Sequence, residues 1–386
     1  VIVLGAFPVS AAAADDVTIN VYNWGQYISD GTDGYIDVNA AFTEATGIKV
    51  NYMTYDTNES LYTKLKTGGS TYDIIIPSDY MIARLIEEDM LEELNFDNIP
   101  NYQYVDEAYK NTAYDPDNKY SVPYTWGTVG VIYNKNYVDE ADIGSWDLLW
   151  NEKYSGKIMM YDSIRDSIAV ALCKLGYDLN TADPEQLREA GELLKQQKPL
   201  VLAYGTDNIK YDMIGGNVAL GVDYSGSATE AILENPDLAY VVPKEGSNIW
   251  VDSMVVLKSS QHKEAAERFI NFLCDPEISA ANLDYIGYST PETAAKEYLD
   301  EEVTSSPVAY PDDETLARSE SFAALGLEAT QSMNDLWLSV KTSGANTTLY
   351  LAITLGAFAA VIAFFVISGA LKRRKKARRC RKWRTQ

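Results

Sequence analysis

The apolar and polar residues at the start of the chain alternate and predict a strand that ends in aromatic residues. From Val17 to Val21 every second residue is apolar, and Trp24 and Tyr27 follow in the turn NWGQY. This period of two is typical of a strand with one buried face. Ligands of open α/β sheets bind outside the carboxyl ends of strands, so we expect both rings at a cleft. The alternative is that both are ordinary core aromatics.

Further strand and helix patterns follow through the first ninety or so residues. The predicted elements are a helix over 35–46, a strand over 48–55, a helix capped by Asn58, a strand over 72–76 and a helix over 81–90. This order predicts an open α/β sheet. Ser78 and Tyr80 follow the third strand as Trp24 follows the first, so the two turns would face one crevice. A plain β-turn is the alternative for Ser78 and Tyr80.

The middle of the chain predicts a second α/β lobe. A strand over 120–133 would cross into it, and an apolar strand over 254–257 would return to the first lobe. The elements predicted for the second lobe are a strand over 158–161, helices over 167–175 and 184–195, and a strand over 218–222. A helix over 265–273, and another opened by Asp275 and Pro276, complete the pattern.

Composition adds size and charge to this picture. The 386 residues are 46% hydrophobic, which allows two folded domains. The net charge is −24, but ten of the Lys and Arg residues lie within residues 372–386. The rest of the chain therefore carries 22 basic and 56 acidic residues. An acidic body of this kind repels nucleic acid and attracts cations. Solubility alone is the alternative explanation of the acidity.

Both ends of the chain point to export of the body. Residues 349–371, LYLAITLGAFAAVIAFFVISGAL, carry no charge and as a helix would extend about 35 Å, enough to cross a bilayer. The basic residues that follow predict a cytoplasmic tail and an outer body. Residues 1–16 resemble the end of a secretory signal, with an uncleaved first anchor as the alternative.

The chain offers little catalytic chemistry. His262 is the only histidine in the sequence, which argues against a His-based triad or a His metal site. Cys173 and Cys274 lie in apolar surroundings that predict burial, and Cys380 lies in the basic tail. No metal and no cofactor are expected. Pairs of acidic residues leave a carboxylate-dependent hydrolase as an open alternative.

Aromatic residues stand beside carboxylates at predicted loop positions. They are Trp24, Tyr27, Tyr80, Tyr224 next to Asp223, Trp250 with Asp252, and Tyr288. Aromatic faces attract alkylammonium groups and cover methylene chains, and carboxylates complete the pairing. The combination predicts a site for a small organic polycation, although each residue taken alone is consistent with a structural role.

The sequence resembles the spermidine/putrescine-binding proteins, the extracellular receptors of polyamine ABC importers. The matching stretches, in collinear order over about 17–341, are YNWGQY (22–27), TGIKVNYMTYDTNESLYTKLKTG (46–68), YDIIIPSDY (72–80), YSVPYTWG (120–127), KLGY (174–177), VPKEGSNIWVDS (242–253), INFLCDPE (270–277) and IGYSTP (286–291). The resemblance implies a two-lobed periplasmic-binding-protein-like fold of type II, with two crossovers, that closes around its ligand. To this the sequence adds one C-terminal transmembrane helix.

The resemblance also implies the ligand-binding positions. The positions that match polyamine contacts of the family are Trp24, Tyr27, Ser78, Tyr80, Trp250, Asp252 and Tyr288. Asp252 would pair with an ammonium group, and Trp250 would form a wall. Asp166 falls where the family has a Glu, and Tyr224 falls where it has a Trp.

Other positions depart from the family pattern and leave the choice between spermidine and putrescine open. Ser163 stands where the family has an Asp, so one carboxylate is missing. Asp162 beside it is a candidate substitute, but strand alternation would point its side chain away. Gly25 replaces a Thr, and Phe322 replaces a Gln. Further candidates are Asp223, which could supply a charge, and Thr206.

These inferences combine into one expectation. Residues 17–123 and 251–305 form the first lobe, 124–250 and 306–342 form the second, and 349–371 tether a monomeric receptor to the membrane. It would capture spermidine, putrescine or both and deliver them to ABC permease subunits, without enzymatic activity and without binding nucleic acid. A receptor for another small cation or solute is the main alternative, and a cell-surface hydrolase is the other.

Overall fold

The protein is seen in a computed structural model that describes residues 17–68 and 71–344. The described residues through Val340 form one compact unit. The predicted leader (1–16), membrane span (349–371) and basic tail (372–386) lie outside the described residues. Of the helices in the described ranges, none has the length and apolar character needed to cross a membrane.

Strands and helices alternate along most of the unit. In chain order they are β1 (Thr18–Trp24), α1 (Val38–Thr46), β2 (Lys49–Tyr55), α2 (Asn58–Thr67), β3 (Ile74–Ile75), α3 (Asp79–Glu87), β4 (Ser121–Asn134), β5 (Ile158–Tyr161), α4 (Ile164–Leu175), α5 (Pro184–Gln197), β6 (Val201–Gly205), α6 (Asn208–Ile214), β7 (Leu220–Tyr224), α7 (Ser225–Glu234), β8 (Leu238–Val241), β9 (Ile249–Val256), α8 (Lys263–Leu273), α9 (Pro276–Ile286), α10 (Glu301–Thr304), α11 (Asp313–Ala317) and α12 (Leu327–Thr342). The predicted α/β class is confirmed.

The described strands form one hydrogen-bonded series in the order β2-β1-β3-β9-β4-β7-β5-β6, with β8 also paired to β4. β1 is parallel to β2 and β3, and β5 is parallel to β6 and β7. The two parallel groups are joined through β9 and β4, which are antiparallel to each other. The long strand β4 pairs with β9 through its first half and with β7 and β8 through its second. Two strands therefore connect the parallel groups.

The hydrophobic core follows the same division. Two clusters surround β1, β2 and β3 and contain residues such as Phe42 and Leu85. A third cluster surrounds β5, β6 and β7 and contains Trp146 and Leu172. We call the elements around the first two clusters the first lobe and those around the third the second lobe. The residue-level lobe boundaries expected from the sequence remain a prediction.

Local capping explains where several predicted elements begin. The helix expected from residue 35 begins at Val38, because the Asp37 carboxylate accepts a hydrogen bond from the Ala40 N–H at 2.9 Å. The prediction that Asn58 caps α2 is wrong: Thr57 is the cap, and it exchanges hydrogen bonds with Ser60 in a capping box. Capping depends on backbone geometry as well as residue type, so neighbouring Thr and Asn residues are easily confused.

Several elements in the second lobe were not predicted. They are β6, α6, α7 and β8, together with α12 near the end of the unit. Strand β6, with the sequence VLAYG, is only partly buried, so it lacks the regular alternation of apolar and polar residues that predicts a strand. The missed elements matter for the site, because α6, α7 and the turn after β6 contribute residues to the cleft described next.

Candidate functional site

A cleft between the two lobes, with a volume of about 900 Å³ including the part open to solvent, is the main candidate site. The first lobe contributes the turn after β1, the start of α2 and the turn after β3. The second lobe contributes the ends of β5 and β7 and the starts of α4, α6 and α7. Because these are the carboxyl ends of parallel strands, the cleft lies where ligands of α/β sheets bind.

The structure brings all nine principal candidates into this cleft. The lining includes Trp24, Tyr27, Ser78, Tyr80, Asp166, Tyr224, Trp250, Asp252 and Tyr288, and from the further candidates Gly25, Ser163 and Phe322. Whether these residues contact a ligand stays a prediction.

Three further candidates do not line the cleft. The Asp223 carboxylate is buried below it, where it accepts hydrogen bonds from the Ser227 hydroxyl and the Tyr224 N–H, both at 2.8 Å. It therefore positions the end of β7. Asp162 and Thr206 lie at the ends of β5 and β6, outside the lining.

Asp252 is a buried carboxylate with one free acceptor. Its side chain is 5% exposed, and its Oδ2 accepts a hydrogen bond from the Tyr27 hydroxyl at 2.9 Å. Its Oδ1 has no hydrogen-bond partner among the described residues. Burial raises the pKa of Asp252 to about 7, although hydrogen bonding with the Ser78 and Tyr27 side chains acts in the opposite direction. A cationic group in the cleft would complete the pairing and favour the charged form.

Four aromatic rings stand beside Asp252 and contact one another edge to face. Trp250 lies 5.7 Å from Tyr224 and 5.4 Å from Tyr288, and Tyr288 lies 5.2 Å from Tyr27, all between ring centroids. The Trp250 Nε1–H is buried and has no acceptor among the described residues. Such edge contacts leave ring faces available for alkylammonium and methylene groups.

The position of Tyr288 depends on a glycine below it. A Cβ on Gly226 would come within 2.2 Å of the Tyr288 ring, a distance that real Cβ contacts do not reach. The close approach of helix α7 to this ring therefore requires Gly226.

A second buried carboxylate, Asp166, lies at the start of α4. It is 6% exposed and accepts hydrogen bonds from the Tyr224 hydroxyl at 2.9 Å and from Asn248 Nδ2 at 3.4 Å. Burial raises its pKa, with the hydrogen bonds acting in the opposite direction. Asn248 Oδ1 is buried without a partner in the described part of the chain. Asp166 and Asn248 thus present acidic and polar atoms to the cleft.

The two lobes contact each other at one side of Asp166. Tyr80 from the first lobe donates to Glu59 at 2.9 Å and meets Phe322 edge to face at 5.8 Å. The Arg165 guanidinium lies 5.0 Å from the Tyr80 ring centroid and 4.3 Å from that of Phe322. Burial raises the pKa of Glu59. Tyr80 and Phe322 therefore close this side of the cleft.

Another contact between the lobes, around Gln26, was missed by the sequence analysis. Gln26 Nε2 donates to the Tyr211 hydroxyl at 2.9 Å, and Gln26 Oε1 accepts from Lys210 Nζ at 3.2 Å. Lys210 also forms an ion pair with Glu230. Asp207 Oδ2 lies at the same place, 3.1 Å from where a Cβ on Gly25 would stand.

The other lining residues that the sequence analysis missed are Asp56, Thr57, Asn58, Glu59, Tyr161, Ser227 and Asn248. Asp56 and its neighbours follow β2, and Tyr161 ends β5, so the rule applied to Trp24 would have found them. No comparable signal marked Lys210 and Glu230, because the helices that carry them were not predicted.

The described residues contain no candidate metal site. Within residues 17–68 and 71–344, no group of three or more His, Cys, Asp or Glu side chains is placed to hold a metal ion. His262 lies outside the cleft lining, beside Asp73 at 3.3 Å. Cys173 and Cys274 are buried free thiols, as the sequence predicted.

Comparison with known proteins agrees with the geometry. Residues 38–311 match the family model of the bacterial extracellular solute-binding proteins. The spermidine/putrescine-binding periplasmic protein of Salmonella typhimurium is 37% identical over 312 residues, which are 81% of this chain and 88% of that protein.

Two solved structures are similar to the chain in both fold and sequence. A structure from Listeria monocytogenes, described as a spermidine/putrescine ABC transporter, superposes with a TM-score of 0.80 at 39% identity and covers 84% of this chain and 98% of the other. The substrate-binding protein PotD of a spermidine/putrescine ABC transporter from Streptococcus pneumoniae superposes with a TM-score of 0.72 at 42% identity. The match covers 84% of this chain and 99% of the other.

Proposed function

The chain belongs to the family of bacterial extracellular solute-binding proteins, and we propose from this premise that it captures a polyamine, spermidine or putrescine, between its two lobes and delivers it to an ABC import permease. It acts by binding, without catalysis. Its relatives are named as binding proteins, and two of them are described as parts of spermidine/putrescine ABC transporters.

The observation that carries the proposal is the state of Asp252. A carboxylate that is buried among aromatic rings, with one oxygen unpartnered in the described residues, is costly unless a ligand supplies the missing partner. An alkylammonium group fits, because it brings a positive charge, hydrogen-bond donors and methylene groups that the rings of Trp250 and Tyr288 can cover.

The ligand contacts that we propose are the twelve predicted residues that line the cleft. Asp252 and Asp166 would each face an ammonium group, and the rings of Tyr27, Trp250 and Tyr288 would cover the chain between them. Asp223 would serve as support for Tyr224 and not as a contact, because both of its hydrogen-bonded partners lie within β7 and α7. Asp162 and Thr206 are left out of the proposal.

Closure of the cleft would carry the signal to the permease. The contacts of Tyr80 with Phe322 and of Gln26 with Tyr211 join the lobes at two places. Both contacts would break if the lobes separated. The proposal therefore predicts that ligand binding strengthens these two contacts and shifts the population toward the closed form.

Calorimetric titration of the full chain with spermidine and with putrescine tests the function. Binding of either polyamine in one-to-one stoichiometry is the expected result. The absence of heat with both, in a sample whose circular dichroism shows a folded protein, would refute polyamine capture. Choline and arginine serve as control cations of different shape.

For the location of the receptor, we propose that residues 349–371 anchor the chain in the membrane, with the basic residues 372–386 on the cytoplasmic side and the body outside. The support is the uncharged sequence of 23 residues followed by ten Lys and Arg. Protease added to intact cells should digest the body and leave the tail protected. Protection of the body with digestion of the tail would refute this orientation.

A further inference from the structure

Lys210 is the only basic side chain among the described residues that line the cleft, where it stands with six carboxylates. It comes from α6 and is 6% exposed. A buried cation is unexpected in a cleft that receives a cationic ligand, because like charges in a partly desolvated site repel each other. Its presence therefore needs an explanation.

The partners of Lys210 hold its ammonium group in place. Nζ forms an ion pair with Glu230 and donates to Gln26 Oε1 at 3.2 Å. Burial alone would lower the pKa of Lys210, but the Glu230 carboxylate outweighs burial and raises it, so the group stays charged at neutral pH. The ammonium group of Lys210 thus occupies a position with an anionic partner and a hydrogen-bond acceptor, as an ammonium group of a ligand would.

The six carboxylates of the cleft differ in whether a basic side chain pairs with them. None of Asp252, Asp166 and Glu59 forms an ion pair with a lysine or arginine in the described residues. Glu230 lies next to Tyr288, since a Cβ on Gly287 would stand 3.0 Å from Glu230 Cγ. Among the six carboxylates, Glu230 is the one that forms an ion pair with Lys210.

We infer that Lys210 is a specificity-determining residue: it fills one ammonium position of the cleft from within the chain and thereby favours a short diamine, such as putrescine, over a triamine, such as spermidine. This inference rests on the proposed function. The two ammonium groups of a diamine meet Asp252 and Asp166, whereas a third ammonium group would have to displace Lys210 or lie beside it.

The test is calorimetric titration of the full chain and its Lys210→Met variant with putrescine and with spermidine. Methionine keeps most of the aliphatic stem of lysine and removes its charge, which leaves Glu230 free for a ligand ammonium group. We expect the unaltered chain to bind putrescine more tightly than spermidine. In the variant, the affinity for spermidine relative to putrescine should rise at least tenfold.

Two further variants complete the design. The double variant Lys210→Met with Glu230→Gln should lose the gain for spermidine, because the carboxylate that paired with Lys210, and would receive the third ammonium group, is then neutral. Lys195→Met is the matched control, because Lys195 forms a similar ion pair with Glu192 at 2.9 Å outside the cleft lining. Its affinity ratio should equal that of the unaltered chain. Lys210→Gln, which retains a hydrogen-bond donor, replaces the Met variant if that variant fails to fold.

The outcomes separate this inference from the proposed function. Binding of polyamines with a ratio unchanged by Lys210→Met, or a gain that persists in the double variant, overturns the role of Lys210 and leaves polyamine capture intact. Tighter binding of 4-aminobutyrate than of either polyamine, abolished by Lys210→Met, also overturns it, since Lys210 would then recognise a ligand carboxylate. No binding of either polyamine by the folded, unaltered chain refutes both proposals.

Discussion

Asp252→Asn is the substitution that we expect to weaken polyamine binding most. Asparagine has nearly the shape of aspartate and still accepts the hydrogen bond from the Tyr27 hydroxyl, which is 2.9 Å from Oδ2. It removes the charge that would face the ligand. Since Asp252 Oδ1 has no partner in the described residues, the change leaves the packing of the ligand-free cleft nearly as it is.

The expected size of the effect comes from the burial of Asp252. Truncating one partner of a desolvated charge pair costs about 2–5 kcal/mol, and with a factor of ten for about 1.4 kcal/mol this is a loss of roughly 30-fold to several thousand-fold in affinity. Because burial raises the pKa of Asp252 to about 7, the Asp252 carboxyl is already protonated in part of the ligand-free molecules at pH 7. The loss should therefore be larger at pH 8 than at pH 6.

The assay is titration calorimetry at pH 8 on the full chain, the Asp252→Asn variant and an Asp237→Asn control. Asp237 is exposed and lies outside the cleft lining, so its variant should bind as the unaltered chain does. Thermal melts of the ligand-free proteins check the fold: Asp252→Asn should melt at the same temperature or higher, because it removes a buried charge. Affinity within threefold of the unaltered chain would show that Asp252 does not pair with the ligand.

Three further predictions use the same cleft and its surroundings. The polyamine affinity of the unaltered chain should fall as the pH drops from 7 to 5, because Asp252 must lose a proton to bind; calorimetry at several pH values measures this, and a flat profile would contradict it. The ligand-free chain should become more stable to denaturant as the pH falls from 8 to 5. Burial raises the pKa of Asp79 to about 8, so in this range the folded state holds a proton that the unfolded chain has released above about pH 4. Each such group adds about 1.4 kcal/mol to the free energy of unfolding per pH unit. Gly226→Ala should lower both affinity and melting temperature, by about 1–3 kcal/mol in stability, because the added Cβ meets the Tyr288 ring at 2.2 Å, whereas Gly326→Ala, with nothing within 4 Å, should leave both unchanged.

The fold class and the first lobe were largely predictable, because their elements are buried on one or both faces. The alternation that begins at Val17 and the apolar run before Ser78 are confirmed as β1 and β3. The aromatic turns after these strands do reach one cleft, because parallel strands from one sheet present their carboxyl ends at the same edge.

The second lobe was less predictable. Its strand β6 is partly exposed, and α6 and α7 are short helices without a strong apolar face. The sequence pattern therefore did not predict the turn that carries Asp207 or the helices that carry Lys210 and Glu230. These residues acquire their position from packing of the whole lobe.

An acidic α/β protein with aromatic and carboxylate residues at strand ends could be recognised without the structure, because hydrophobic period and charge are properties of local order along the chain. Which of these side chains share the cleft depends on how the two lobes fold and pack. Asp223 and Tyr224 are neighbours in sequence, yet Tyr224 lines the cleft and Asp223, which accepts a hydrogen bond from Ser227, does not. The reason is that successive residues of a strand point to opposite faces. Gln26 and Lys210 are 184 positions apart, and their contact exists because two lobes, each folded around its own core, bring their loops together.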